Sequence, residues 1–199
     1  MDTISRRIAG LFLEQYGDVP IPAGREIFTR DEVKELEKTH FVVELSGKSL
    51  KDLVRENDKI AIWTASSFTA VDLDLPSRVG HVALPKELFL QGSGYRVYAE
   101  QEAMIEAHAA QTRKRPGLYN LREIVGQVAD YAEAVRKVHE KYRKELFGIN
   151  YGYNYTVALL GSGLVVVGNL CGDRGLYVGT WRRDLRRDDV LVSPLVVPA

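Results

Sequence analysis

The side chains able to do chemistry are few, and their spacing limits what each could do. Asp72 and Asp74 stand two apart in a run where acidic residues alternate with Val71, Leu73 and Leu75. On a strand both carboxylates project from one side, about 7 Å apart. Such a pair can divide acid and base roles or hold a divalent cation. The plainer alternative is the wet face of a half-buried strand, and no third acidic ligand follows close in sequence. Cys171, the single cysteine, could form a thiol–imidazole pair with His81, His108 or His139. A nucleophilic thiol needs a helix N-terminus or an adjacent cation to lower its pKa. Cys171 instead follows an apolar run and precedes a turn, as a small residue at a strand end would.

Three other patterns fail on spacing. His139-Glu140 opens like a zinc-protease helix, but the position of the second histidine is Arg143. Glu102 and Glu106 share a helix face without the Glu-x-x-His spacing of carboxylate-bridged metal helices. Gly161 and Gly163 have phosphate-loop spacing, yet a strand follows rather than the helix N-terminus that would supply N–H donors. No metal and no cofactor is implied.

Basic clusters are the least ordinary feature. Arg113, Lys114 and Arg115 form one; Arg136, Lys137, Lys141, Arg143 and Lys144 a second; Arg182, Arg183, Arg186 and Arg187 a third. Tyr151, Tyr153 and Tyr155 follow the second cluster and share one strand face. Cations beside a row of aromatics can hold single-stranded nucleic acid through phosphate contacts and base stacking. Against this, Glu140, Glu145, Asp184, Asp188 and Asp189 interleave with the cations, and the dipole of a helix favours cations at its C-terminus anyway.

These residues need elements to position them. Asn120 to Gly148 reads as one long helix, about 121–147, with Asn120 as N-cap, Glu123 reaching back to it, and Tyr119 and Ile124 as a hydrophobic staple. Gly148 can close it in the left-handed conformation. Apolar positions stepping by four and three place Val128, Ala132, Val135, His139 and Tyr142 on one seam, with Ile124, Tyr131 and Val138 widening it. Glu133/Lys137 and Glu140/Lys144 then form i,i+4 pairs on the opposite face.

Before that helix the pattern predicts a helix over 3–16, a stiff proline linker over 18–24, and a helix over 30–38 opened by the capping box Thr29–Glu32 with Phe28 and Val33 as its staple. Strands are predicted over 41–45, 59–65, 68–75, 79–85 and 95–99, and helices over 49–57 and 100–113. After Gly148, β-branched runs separated by glycine turns predict an antiparallel meander. The fold class is α+β: a mixed N-terminal region, one long central helix and a C-terminal meander. A single domain over 1–199 is expected, with sub-regions 1–99 and 100–199.

Composition narrows the function. Lys+Arg and Asp+Glu number 27 each, so no global field draws the chain to nucleic acid or an anionic membrane. The halves differ only mildly, with 13 basic and 16 acidic residues in 1–100 and 14 and 11 in 101–199. One cysteine excludes an internal disulfide and fits a reducing, cytoplasmic setting. The N-terminus is amphipathic rather than signal-like, and no apolar run is long enough for a membrane span. The leading expectation is a non-catalytic binding or assembly protein, homo-oligomeric or engaging another protein. Single-stranded nucleic-acid or polyanion binding is the alternative, and a hydrolase-type enzyme using Asp72/Asp74 or Cys171/His139 the second.

Overall fold

In the computed structural model the described residues are 25–56, 63–64, 74–144, 146, 155–160, 163–171 and 175–199. The first described helix, α1 (Arg30–Leu36), starts where local chemistry demands. The Thr29 hydroxyl accepts from the Glu32 N–H at 3.2 Å and the Glu32 carboxylate accepts from the Thr29 N–H at 2.7 Å. Phe28 and Val33 pack into one apolar cluster, as a hydrophobic staple requires.

Strand β1 (His40–Ser46) follows, then α2 (Leu50–Glu56), β2 (Trp63–Thr64) and β3 (Val79–Pro85). Helix α3 (Tyr98–Thr112), strand β4 (Leu121–Ile124) and helix α4 (Val128–Tyr142) come next. The chain continues with β5 (Tyr155–Leu160), β6 (Gly163–Cys171), β7 (Gly175–Thr180), β8 (Val190–Leu191) and β9 (Leu195–Pro198). Two sheets result, so the mixed α+β class holds. The first is antiparallel, in the order β1-β3-β9-β4. The second has the order β2-β7-β6-β5-β8. Its centre, β5-β6-β7, is the antiparallel meander, while β2 and β8 add at the two edges in parallel. Among the described residues no helix is long and apolar enough to cross a membrane.

The long helix over 121–147 is corrected. Leu121–Ile124 is a strand, and the helix is Val128–Tyr142. Its N-terminal box uses Asp130, whose carboxylate accepts from the Gln127 N–H at 2.9 Å. Asn120 does not cap a helix; its carbonyl accepts from the Ala199 N–H at 2.9 Å. Tyr119 is 62% exposed and staples nothing. The reason is non-local: Leu195–Pro198 supplies a backbone ladder for 121–124, which outweighs a cap signal carried by a few side chains.

Gly126 makes the passage from strand to helix possible. A Cβ there would lie 2.3 Å from Leu195 Cδ1 and 3.2 Å from Tyr131 Cε2, and both neighbours are fully buried. The Tyr131 hydroxyl ties the corner, donating to the Ser193 carbonyl at 2.7 Å and accepting from the Gly126 N–H at 3.3 Å. Gly126→Ala is expected to overpack this wedge and to cost about 2 kcal/mol, measured by urea unfolding.

Two smaller expectations also change. Residues 95–99 form no strand. Tyr98 opens α3 instead, with the Glu100 carboxylate accepting from the Val97 N–H at 3.0 Å. The C-terminal run is not all one meander, because β9 leaves the second sheet and inserts between β3 and β4. The helix over 3–16, the linker over 18–24 and most of the strands over 59–65 and 68–75 lie outside the described residues.

Helix α4 is the shared packing element. Its Val128, Tyr131, Ala132 and Val138 join Phe41, Val43 and Leu45 of β1, Leu195 and Val197 of β9, and Ala158, Val167 and Val178 of the second sheet in one buried cluster. Its polar side is not simply wet. Glu133 is fully buried, and its carboxylate accepts from the Ser46 N–H at 3.1 and 3.2 Å, the Ser46 hydroxyl at 2.6 Å and the Ser77 hydroxyl at 2.6 Å. The expected Glu133/Lys137 surface pair is therefore corrected, and Glu140 pairs with Arg136 at 3.2 Å.

The same helix closes the outer edge of β1. At Val42 the Tyr142 hydroxyl meets both N–H (3.3 Å) and carbonyl (3.1 Å), and Lys141 Nζ donates to that carbonyl at 3.1 Å. Nine helical residues from Glu133 to Tyr142 rise about 13.5 Å. Four strand residues from Ser46 to Val42 span about 13 Å. This match lets one helix satisfy both ends of an edge strand that would otherwise invite pairing.

Candidate functional site

The other edge of the first sheet is β4, and α3 lies beside it. The helix is held at both ends. Tyr98 packs with Trp181, Val157, Val166 and Val190 of the second-sheet layer. At its C-terminal end the Arg113 Nη1 donates to the Leu121 carbonyl at 3.5 Å. Between these anchors His108 and Thr112, one turn apart, present polar atoms to the strand. The Glu123 carboxylate, 1% exposed, contacts His108 Nδ1 at 2.6 Å and accepts from the Thr112 hydroxyl at 2.7 Å. The Glu123 hydrogen bond holds the His108 imidazole above its ordinary pKa. His40 lies within electrostatic reach of this pair. Burial pushes it down to about 4, opposed by the Glu123 charge and aided by Arg115 and His108.

Between α3 and β4 runs a groove of about 560 Å³. Ile105 and Ala109 of the helix, Ile124 and Val125 at the end of the strand and Leu159 of β5 form its apolar walls. Arg78, Arg113 and Arg122 also line it, together with Glu102, Glu106 and Glu123. The charges are unequally committed. Arg78 Nε donates to the buried Asp130 at 3.3 Å, and Arg113 reaches Leu121. Arg122 Nε is buried and has no hydrogen-bond partner among the described residues. A buried charged donor without an acceptor is costly.

A second groove, about 470 Å³, lies against the β1 edge, where Glu44, His81, Lys137, Glu140 and Lys141 meet. The α4 side chains that close this edge already occupy much of its hydrogen-bonding capacity. In this groove His81 Nδ1 accepts from the Phe28 N–H at 3.1 Å.

The residues singled out in the sequence are dispersed. His139 is exposed on α4, not on its buried seam. Helix α4 packs between two sheets, and the stripe through Val128, Tyr131, Val138 and Tyr142 turns His139 to solvent. Cys171 ends β6 opposite Gly175, beside a register irregularity at Asn169. Asp74 is an exposed turn residue paired with Lys51 at 3.3 Å, and Asp72 lies outside the described residues. Among the described residues no group of three histidine, cysteine or acidic side chains could hold a metal ion.

Several of the cluster cations have acidic partners of their own. Arg136 meets Glu140 and Lys141 meets Glu37 at 3.3 Å. Arg182 meets Asp184 at 2.7 Å, Arg186 meets Glu100 at 2.8 Å, and Arg187 meets Asp189. Arg183 lies over the Tyr98 ring, 5.7 Å from its centroid. Lys137 lines the second groove, while Arg143 (left-handed at the helix end, φ 55°) and Lys144 are exposed. Tyr151 and Tyr153 lie outside the described residues, and Tyr155 opens β5 opposite Val190.

The groove residues Arg78, Ile105 and Arg122 were not singled out from sequence, and Glu123 was assigned to a cap. One signal was present. His108 and Thr112 are polar residues at i,i+4 on the helix face that carries Ile105 and Ala109, which calls for a polar partner on whatever packs there. Compared with known protein families, curated proteins and solved structures, the chain matches none.

Proposed function

We propose that this is a non-catalytic binding protein whose ligand seat is the groove between α3 and β4, and that the ligand carries an anionic group on an apolar body. The single observation behind this reading is the Arg122 guanidinium, with its buried Nε unpartnered among the described residues, at the rim of apolar walls. A carboxylate offers the planar, two-oxygen acceptor that a guanidinium fork matches, and the pairing is stronger where water is partly excluded. Ile105, Ala109, Val125 and Leu159 offer the apolar contact that fixes the rest of the molecule. The carboxylates of Glu102 and Glu106 repel an anion elsewhere along the groove and so give the ligand a direction.

Calorimetric titration with octanoate tests this, with octylamine as the chain-matched cation. Octanoate is expected to bind with one-to-one stoichiometry and octylamine not to bind. Arg122→Leu is expected to weaken octanoate about tenfold or more while leaving thermal stability unchanged or raised, since it removes an unpaired buried donor. Absence of octanoate binding, or equal binding by the variant, would falsify the assignment.

A further inference from the structure

We infer that the natural occupant of this groove is an extended peptide segment, bearing acidic side chains on one face, that adds to β4 as a fifth strand of the first sheet. This deepens the reading above and rests on it.

The ladder between β4 and β9 fixes which backbone groups of β4 look outward. Leu121 faces Pro198, which has no N–H, so that pair cannot exchange two hydrogen bonds. The next pair does bond, Ala199 N–H donating to the Asn120 carbonyl at 2.9 Å. Antiparallel pairs alternate. Arg122 and Ile124 therefore bond inward to β9, and Leu121 and Glu123 direct their N–H and carbonyl groups away from the sheet. At Leu121 the outward carbonyl already accepts from Arg113 Nη1, a side chain standing where a neighbouring strand's N–H would be. At Glu123 no hydrogen bond to the outward N–H or carbonyl is present among the described residues.

The two edges of this sheet are thus treated differently. On β1 the outward groups at Val42 and Ser46 are matched by Tyr142, Lys141 and Glu133 of α4, so that the outward groups of Glu44, without a partner among the described residues, are flanked on both sides. On β4 the outward groups at Glu123 open onto a groove. An unpaired N–H and carbonyl on one residue of an edge strand are the donor and acceptor that an added strand uses, and pockets for its alternate side chains supply specificity. Arg122 and Ile124 project to one side of the sheet and Glu123 to the other. Acidic residues of the added strand would accordingly fall on the Arg122 side, and small apolar ones on the side of α3.

The test uses the full chain and a fluorescein-labelled, end-blocked pentapeptide alternating glutamate and valine, followed by anisotropy. Two further peptides carry N-methyl groups on the odd or on the even backbone amides, so that only one can still donate toward β4. One N-methylated isomer is expected to lose about tenfold or more in affinity and the other to keep the parent value, with Arg122→Leu weakening the parent. Hydrogen exchange at the Glu123 amide is expected to slow in the complex. Equal binding by both isomers means attraction by charge alone and overturns the strand addition. Octanoate binding without peptide binding also overturns it while leaving the groove as a ligand seat. Failure of both ligands removes the two readings together.

Discussion

Glu133→Ala is expected to destabilise the protein by about 3 kcal/mol, which lowers Tm by roughly 6–12 °C for a chain of this size. The side chain is fully buried, and its two oxygens take hydrogen bonds from one backbone N–H and two hydroxyls. Ser46 and Ser77 belong to separate segments, one at the end of β1 and one just before β3. Removing the carboxylate leaves donors of both segments without an acceptor and opens the β1 edge where α4 closes it. Hydrogen bonds to a charged group are the stronger kind, and unsatisfied buried donors add their desolvation cost. Glu133→Gln keeps the shape and one acceptor oxygen, so its loss should fall between wild type and alanine. Urea unfolding of the three proteins at neutral pH measures this order. A Glu133→Ala protein within 1 kcal/mol of wild type, on the scale of a surface substitution, would show that the carboxylate does not hold the edge.

Acid is expected to weaken the protein through His40 by about 3 kcal/mol between neutral pH and pH 4. His40 is 4% exposed, its Nε2 has no partner among the described residues, and burial pushes its pKa to about 4 from an ordinary 6.5. A histidine depressed in the folded state favours folding while neutral. Its contribution is whole above 6.5 and is lost as pH falls from 6.5 through about 4. His108 has the opposite sign: the hydrogen bond it donates to the Glu123 carboxylate raises its pKa, so its contribution is whole below 6.5 and fades as pH rises through the raised value. Because His108 is partly exposed, solvent screens it and its share is the smaller. His40→Leu removes the depressed group without much change in volume. The variant's unfolding free energy should therefore fall less than that of wild type between pH 7 and pH 4. Parallel pH profiles for the two proteins would assign the acid loss to other groups.

Local chemistry was legible where the competing interactions were local too. The Thr29–Glu32 box opens a helix in the structure because all its partners lie within four residues. Apolar runs of β1 and β3 likewise became strands, and β5, β6 and β7 pair antiparallel as expected. Asn120–Ile124 failed for the converse reason. Its cap signal is real in isolation, but its strand partner, Leu195–Pro198, lies some seventy residues on. A four-residue edge strand leaves almost no periodic signature against an adjoining helix.

The candidate site was less legible than the fold. Glu123 and Glu133 each carried a reasonable local assignment, a cap and a surface ion pair, and each is instead a buried acceptor for groups on distant segments. His139 fell on a seam drawn for a helix beginning seven residues too early. Residue order settled α1, β1 and β3, because capping and side-chain alternation act over a few neighbours. Only the tertiary structure settled which outward backbone groups at the edges of the first sheet find side-chain partners. That depends on the reach of α3 and α4 across β4 and β1, and on the phase of a ladder made with the last residues of the chain.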